Sequence, residues 1–183
     1  MNIVLVGLQG SGKGLMGKLL GEKYSIPHIS VGEILREIEK QNTPLGRKIK
    51  SIIDKGMLLP DVIVNDIVKK RLSNADCKKG FILDGYPRTL NEAKFLDMIA
   101  ELDFVIHLDI PFELIVKRVE IRKKQGVVRP DDSPETIKRR MKKYEEETAP
   151  LLEYYRPRDI VYKIDASKSA NGVFNSIVSV LGE

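Results

Sequence analysis

Gly7, Gly10, Gly12 and Gly14 fall within eight positions and enclose Lys13, directly after the apolar run Ile3-Val4-Leu5-Val6. Glycines at that density let a turn coil tightly and aim successive N–H groups into one hollow. A helix after the turn adds the positive end of its dipole, and Lys13 adds a full charge. Gly10, Ser11, Gly12, Lys13, Gly14 and Leu15 therefore read as a cradle for the phosphates of a nucleotide. A plain strand-turn-helix needs one or two glycines and no lysine. The position after Lys13, where many phosphate loops place a magnesium-binding hydroxyl, is Gly14. That loss argues against GTPases and motor ATPases.

A second constellation follows at Asp84-Gly85-Tyr86-Pro87-Arg88. Asp84 ends an apolar strand, where a carboxylate can hold magnesium or its waters. Gly85 and Pro87 shape a sharp turn. Arg88 on that turn can fork onto a phosphate with two parallel hydrogen bonds.

These residues need a scaffold that brings distant segments to one edge, and the patterning supplies it. Strands are expected at 2–6, 28–30, 80–83, 104–108 and 160–164. Helices are expected at 13–23, 32–40, 45–55, 61–73, 91–102, 111–124, 134–156 and 171–181. Such alternation implies an α/β fold, a five-stranded parallel sheet with helices on both faces and ligands at the carboxyl ends of its strands. Residues 30–73 interrupt the alternation with three helices in a row, as an inserted helical subdomain would. Residues 125–133 form a short polar loop between long helices, placed to act as a flap.

The bulk numbers agree with a single globular domain. The chain has 183 residues, 42% hydrophobic and 31% charged, with a net charge of +5. Cys77 is the only cysteine, which excludes an internal disulfide and a cysteine-built zinc site and suggests a reducing, cytoplasmic setting. It reads as a small buried residue. The Ile3–Val6 run is too short for a signal peptide core or a membrane span. His28 and His107 have no ligand-like spacing and read as structural.

Taken together, the segments resemble the adenylate kinases, among the nucleoside monophosphate kinases of P-loop NTPase fold. The resemblance covers essentially the whole chain. It is carried by residues 7–14, Ser30-Val31-Gly32-Glu33-Ile34-Leu35-Arg36, residues 80–89, Arg118 with Arg122, Arg129-Pro130-Asp131-Asp132, and Arg140. It implies reversible transfer between Mg-ATP and a nucleoside monophosphate, AMP by default, giving two diphosphates. It also implies an acceptor-binding insertion at 30–73 and a short lid at 123–133, without room for a zinc-bearing one.

By that resemblance Lys13 and the loop amides hold the donor phosphates, and Arg118 stacks on the donor base near Lys168. Arg36 and Arg88 hold the acceptor's phosphate, in a subsite that includes Val31, Met57, Leu58, Leu59, Gly85, Tyr86, Pro87 and Glu92. Arg122, Arg129 and Arg140 close on the transferring group. Asp84 steers magnesium through water, and Asp131 and Asp132 tie down the lid. Arg139, Lys138, Lys142 and Lys143 read as a solvated face paired with acids such as Glu145, Glu146 and Glu147.

Three positions depart from the adenylate kinase pattern. Leu15 and Val31 stand where threonines are usual, each deleting a polar contact; Ser11 is a candidate substitute for the first. Glu92 replaces a glutamine that can donate to adenine N1 and accept from the amino group, whereas an ionised glutamate only accepts. Thr89-Leu90-Asn91-Glu92 also has the spacing of a helix capping box. Both readings of Glu92 stand at this level, and looser base choice follows from the first.

The competing functions are a UMP/CMP kinase, a nucleotide-dependent switch and a basic nucleic-acid binder. Glu92 weighs against uracil, no Asn-Lys-x-Asp stretch occurs, and the few aromatics offer no stacking platform. The expected partners are therefore small nucleotides, with no nucleic acid or membrane and a monomer as the default.

Overall fold

The computed structural model describes residues 1–53, 57, 59–126 and 134–182. The strands are β1 (Asn2–Gly7), β2 (His28–Ser30), β3 (Phe81–Asp84), β4 (Phe104–Asp109) and β5 (Val161–Asp165). They pair in the order β2-β3-β1-β4-β5, every pair parallel. The register sets Leu5 beside both Asp84 and Ile106, and Ser30 beside Asp84. All five carboxyl ends thus reach the same edge.

The helices are α1 (Lys13–Tyr24), α2 (Val31–Lys40), α3 (Pro44–Ile53), α4 (Asp61–Leu72), α5 (Leu90–Ile99), α6 (Phe112–Lys124), α7 (Pro134–Tyr155) and α8 (Ala170–Val180). Side chains alternate along each strand, so every strand feeds two cores. Val4, Val6, Leu83 and Val105 join the apolar layer that contains Leu35, Ile49, Val68, Leu96 and Tyr155. Ile3, Leu5, Ile82 and Ile106 join the opposite layer with Met16, Leu20, Ile115 and Ile177. The central strands are covered on both faces, which is why residues Ile3 to Val6 of β1 are all apolar.

Three helices follow β2, with no strand between them among the described residues, as the interruption of the pattern implies. α4 is fastened to the sheet side: Asp61 Oδ2 lies 3.1 Å from Thr89 Oγ1, and Asn65 Oδ1 lies 2.6 Å from the Tyr86 hydroxyl. Most boundaries shift by a single residue from expectation, and two shifts have an evident cause. α5 stops at Ile99 rather than 102, because Leu102 is apolar as a buried core residue of the loop, not as part of the helix stripe. β3 begins at Phe81, after a short 3-10 turn at Ala75–Lys79 that the pattern does not reveal. Cys77 is buried within that turn, as expected. Among the described residues, no helix is long and apolar enough to cross a membrane.

Candidate active site

At the carboxyl edge of the sheet lies a cleft of about 560 Å³, entered by the glycine loop, α1, α2, α6, α7 and the turn after β3. The loop passes from β1 into α1 through Gly12, whose φ of 103° suits glycine and opens the helix without a side-chain cap. The first helical bond runs from the Met16 N–H to the Gly12 carbonyl, 3.0 Å. The amides of Gly14 and Leu15 ahead of it have no carbonyl of a preceding turn to meet. They are available to an anion.

Lys13 folds over this loop, its Nζ donating to the carbonyls of Gly7 at 2.6 Å and Leu8 at 2.9 Å. Neutral carbonyls are weaker partners for an ammonium than phosphate oxygens. Gly10, Gly12, Gly14 and Leu15 line the cleft with it. Ser11 does not. Its residue is 2% exposed, and its Oγ sits 2.7 Å from where a Gly7 side chain would begin. The hydroxyl is packed under the loop, so it does not take the place of the threonine that Leu15 replaces.

Asp84 lines the cleft at the end of β3. Burial works to raise its pKa, but His28, the positive charge of Lys13 and that of Arg88 outweigh it, and the carboxyl is held below its ordinary value. His28 Nε2 lies 3.8 Å from Asp84 Oδ2. The parallel pairing of β2 with β3 sets it behind the carboxylate, outside the cleft lining. Gly17 makes room for the imidazole, since a Cβ there would come within 2.3 Å of the ring. Gly17→Ala is therefore expected to destabilise the fold by roughly 1–3 kcal/mol, measured by denaturant unfolding. His107 lies on the other layer, half-buried against the Tyr144 ring at 6.5 Å.

Arg36 from α2, Met57, Gly85, Pro87 and Arg88 face the same cleft from the opposite side. Arg88 Nε donates to the Gly85 carbonyl at 2.8 Å, which aims the guanidinium along the turn. Val31, Leu59, Tyr86 and Glu92 are all buried and do not line the cleft. Val31 and Leu59 belong to the apolar core. That placement gives no support to direct nucleotide contacts by these four side chains.

Glu92 is a cap. Thr89 Oγ1 accepts from the Glu92 N–H at 3.1 Å, and Glu92 Oε2 accepts from the Arg88 N–H at 2.6 Å. Burial pushes the Glu92 carboxyl up to about 7, with Arg88 opposing and Asp61 adding to the rise. A carboxyl raised in the fold takes up a proton on folding, so its contribution to stability is greatest below the ordinary value near 4.5 and is lost as pH rises through about 7. Relative to the parent, Glu92→Gln is expected to melt a few degrees higher at about pH 8 and to lose that advantage at about pH 5. Calorimetry across that range checks it.

On the remaining side, Arg118 of α6 bridges two loops. Its guanidinium donates to the Ser11 carbonyl at 3.2 Å, the Ala166 carbonyl at 2.7 Å and the Lys168 carbonyl at 3.4 Å. Lys168 enters through that carbonyl and does not line the cleft. Arg122, one turn beyond Arg118, does line it. One hollow thus holds a glycine loop with its lysine, four arginines (Arg36, Arg88, Arg118 and Arg122) and the Asp84 carboxylate.

A family model described as adenylate kinase matches residues 5–160. The chain belongs to the adenylate kinase family. An adenylate kinase of Clostridium tetani is 40% identical, covering 100% of this chain and 99% of its own. One from Agathobacter rectalis is 41% identical with full coverage of both, and one from Archaeoglobus fulgidus is 41% identical over 99% and 98%. The first of these alignments runs over 213 positions against 183 residues here, so that relative carries segments this chain lacks.

Within this adenylate kinase fold some expected site residues lie outside the description. Leu58, Arg129, Asp131 and Asp132 are outside the described residues, as is most of 123–133; Arg140 lies on α7 with its side chain likewise outside. Other residues enter the cleft unannounced. Tyr144, Glu147, Thr148 and Leu151 present one face of α7 to it. Their spacing of three, four and seven is the helical signal that could have found them. Glu147, read from sequence as a surface acid, is corrected by that face. Lys18, one turn after Gly14 on α1, also lines the opening.

The residues present fit a magnesium ion carried by phosphates rather than by the protein. Gly14 offers no hydroxyl, and a Cβ there would stand only 3.8 Å from Asp84 Oδ2. Among the described residues no group of three or more His, Cys, Asp or Glu gathers as a metal cage. A single ionised carboxylate beside a phosphate loop suits a largely hydrated magnesium.

Proposed function

We propose that the chain catalyses reversible phosphoryl transfer from Mg-ATP to a nucleoside monophosphate, with AMP as the principal acceptor and two ADP as products. The observation that carries this reading is the convergence of Lys13, Arg36, Arg88 and Arg122, from four different segments, on one cleft beside Asp84. The monophosphate brings its own nucleophilic oxygen, so the reaction needs no protein base. That oxygen bonds to the γ-phosphorus as the bond to the β–γ bridging oxygen breaks, and the leaving diphosphate keeps the electron pair. The protein must align two anions, neutralise their charge and exclude water.

Lys13 and the loop amides would hold the donor phosphates, with Arg118 against the donor base. Arg36 and Arg88 would hold the acceptor's phosphate. Arg122, with Arg129 from the segment 123–133 and Arg140 from α7, would close on the transferring group, and Asp131 and Asp132 would fasten that short lid. Asp84 would hold magnesium through water, the ion neutralising charge on the donor's terminal phosphates. The insertion at 30–73 would move as the acceptor side of the clamp, and the length difference from the relatives supports a short lid.

Base selectivity is looser in this reading than in a strict adenylate kinase. Val31 offers no polar contact, and the Glu92 carboxylate is turned toward the Arg88 amide. A coupled assay with ATP and each of AMP, CMP, GMP and UMP tests both parts. The expected result is fastest turnover of AMP with measurable turnover of others. Transfer to none of them sinks the function, and transfer to AMP alone sinks the loosened selectivity.

A further inference from the structure

The contacts that fix the Arg88 turn lie behind the cleft wall, not in it. A capping-box glutamate ordinarily reaches the N–H of its own cap residue, here Thr89. The Glu92 carboxyl feels that N–H and also reaches one residue further, its 2.6 Å bond going to the amide of Arg88, the residue whose side chain enters the cleft. Thr89, the cap, is braced from α4 by Asp61 at 3.1 Å. The Tyr86 hydroxyl lies 3.1 Å from the Glu92 carbonyl oxygen and 2.6 Å from Asn65 Oδ1, a second brace to α4. With the backbone pinned at its amide and Nε pinned to the Gly85 carbonyl, few rotations remain to the guanidinium.

We propose that Glu92 is a positioning residue for the acceptor's phosphate, its carboxylate holding the Arg88 backbone so that the guanidinium faces the cleft. This rests on the reading of Arg88 as the phosphate clamp. A carboxylate suits the task better than an amide: a charge-assisted bond to an N–H is shorter and stronger than a neutral one. It also commits the side chain. When ionised, above about pH 7, both of its oxygens are acceptors, and at 4% exposure neither addresses a base in the cleft.

The test compares steady-state kinetics of the full chain and of Glu92→Ala, Glu92→Gln, Arg88→Ala and the Glu92→Ala/Arg88→Ala double variant. Glu92→Ala is expected to raise the acceptor KM about tenfold, the loss of one such hydrogen bond, with the donor KM unchanged. Glu92→Gln, which keeps an acceptor oxygen, should recover most of that loss. On the Arg88→Ala background, Glu92→Ala should add nothing to the acceptor KM. The order of preference among AMP, CMP, GMP and UMP should stay that of the parent. Should Glu92→Ala fail to fold, Glu92→Asp, too short to reach the Arg88 amide, carries the same expectations. An unchanged acceptor KM in a folded variant, additive effects in the double variant, or a reordered base preference would each overturn the proposal. An Arg88→Ala variant with the parent's acceptor KM would overturn the clamp reading of Arg88 together with it, whereas a defective Arg88→Ala beside a normal Glu92→Ala would overturn the positioning role alone.

Discussion

Lys13→Ala is expected to lower kcat by roughly a thousandfold, about 4 kcal/mol of transition-state stabilisation, while the melting temperature stays near that of the parent. The asymmetry follows from its present partners. In the structure Lys13 bonds to two backbone carbonyls at the cleft wall, those of Gly7 and Leu8, which water can satisfy in its absence. Toward the reacting phosphates no water can replace it, because a fixed charge in a water-poor site acts without reorganising during the reaction. Lys13→Arg should recover little, since the longer planar fork does not fit a loop shaped around a compact ammonium. Near-normal kcat in a folded Lys13→Ala would contradict the assignment.

The second large effect is expected at Arg122. It stands in the last turn of α6 with Lys123 and Lys124, where positive side chains also favour the negative end of the helix dipole. A purely dipolar role predicts a loss of at most about 1 kcal/mol of stability and no change in rate. The cleft-facing placement predicts otherwise. Arg122→Ala should lower kcat roughly a hundredfold to a thousandfold, with smaller changes in either KM, because its contacts strengthen as charge develops on the transferred group. Arg122→Lys should restore the dipole contribution but little of the rate. Single-turnover rates separate the two accounts.

The features legible in the sequence were those encoded over short stretches. The glycine loop with Lys13 is a local signal, and the apolar strands β1, β3 and β4 announce burial on both faces. Glu92 could not be resolved that way, because base reading and capping use the same residue at the same spacing after Thr89. The burial of Glu92 away from the cleft and its 2.6 Å contact to the Arg88 amide separate them. The approach of His28 to Asp84 is hidden in the sequence for a different reason. Its place behind Asp84 depends on the pairing of β2 with β3, two strands separated by three helices, and no local pattern carries that register. Leu102 misled the helix boundary because an apolar residue in a loop and one on a helix stripe look alike until the core is assembled. Ser11 showed the same limit. Its hydroxyl has suitable chemistry, but the coil of the loop turns it inward against Gly7.

The most direct measurement is a crystal structure of the chain with a bisubstrate mimic, two nucleosides joined through one polyphosphate. The expected result places the polyphosphate along the glycine loop with Lys13, Arg36, Arg88 and Arg122 within about 3 Å of its oxygens, their guanidinium and ammonium groups converging from opposite sides. A mimic bound elsewhere, or bound in the cleft with those four side chains directed away from its phosphates, would contradict the account.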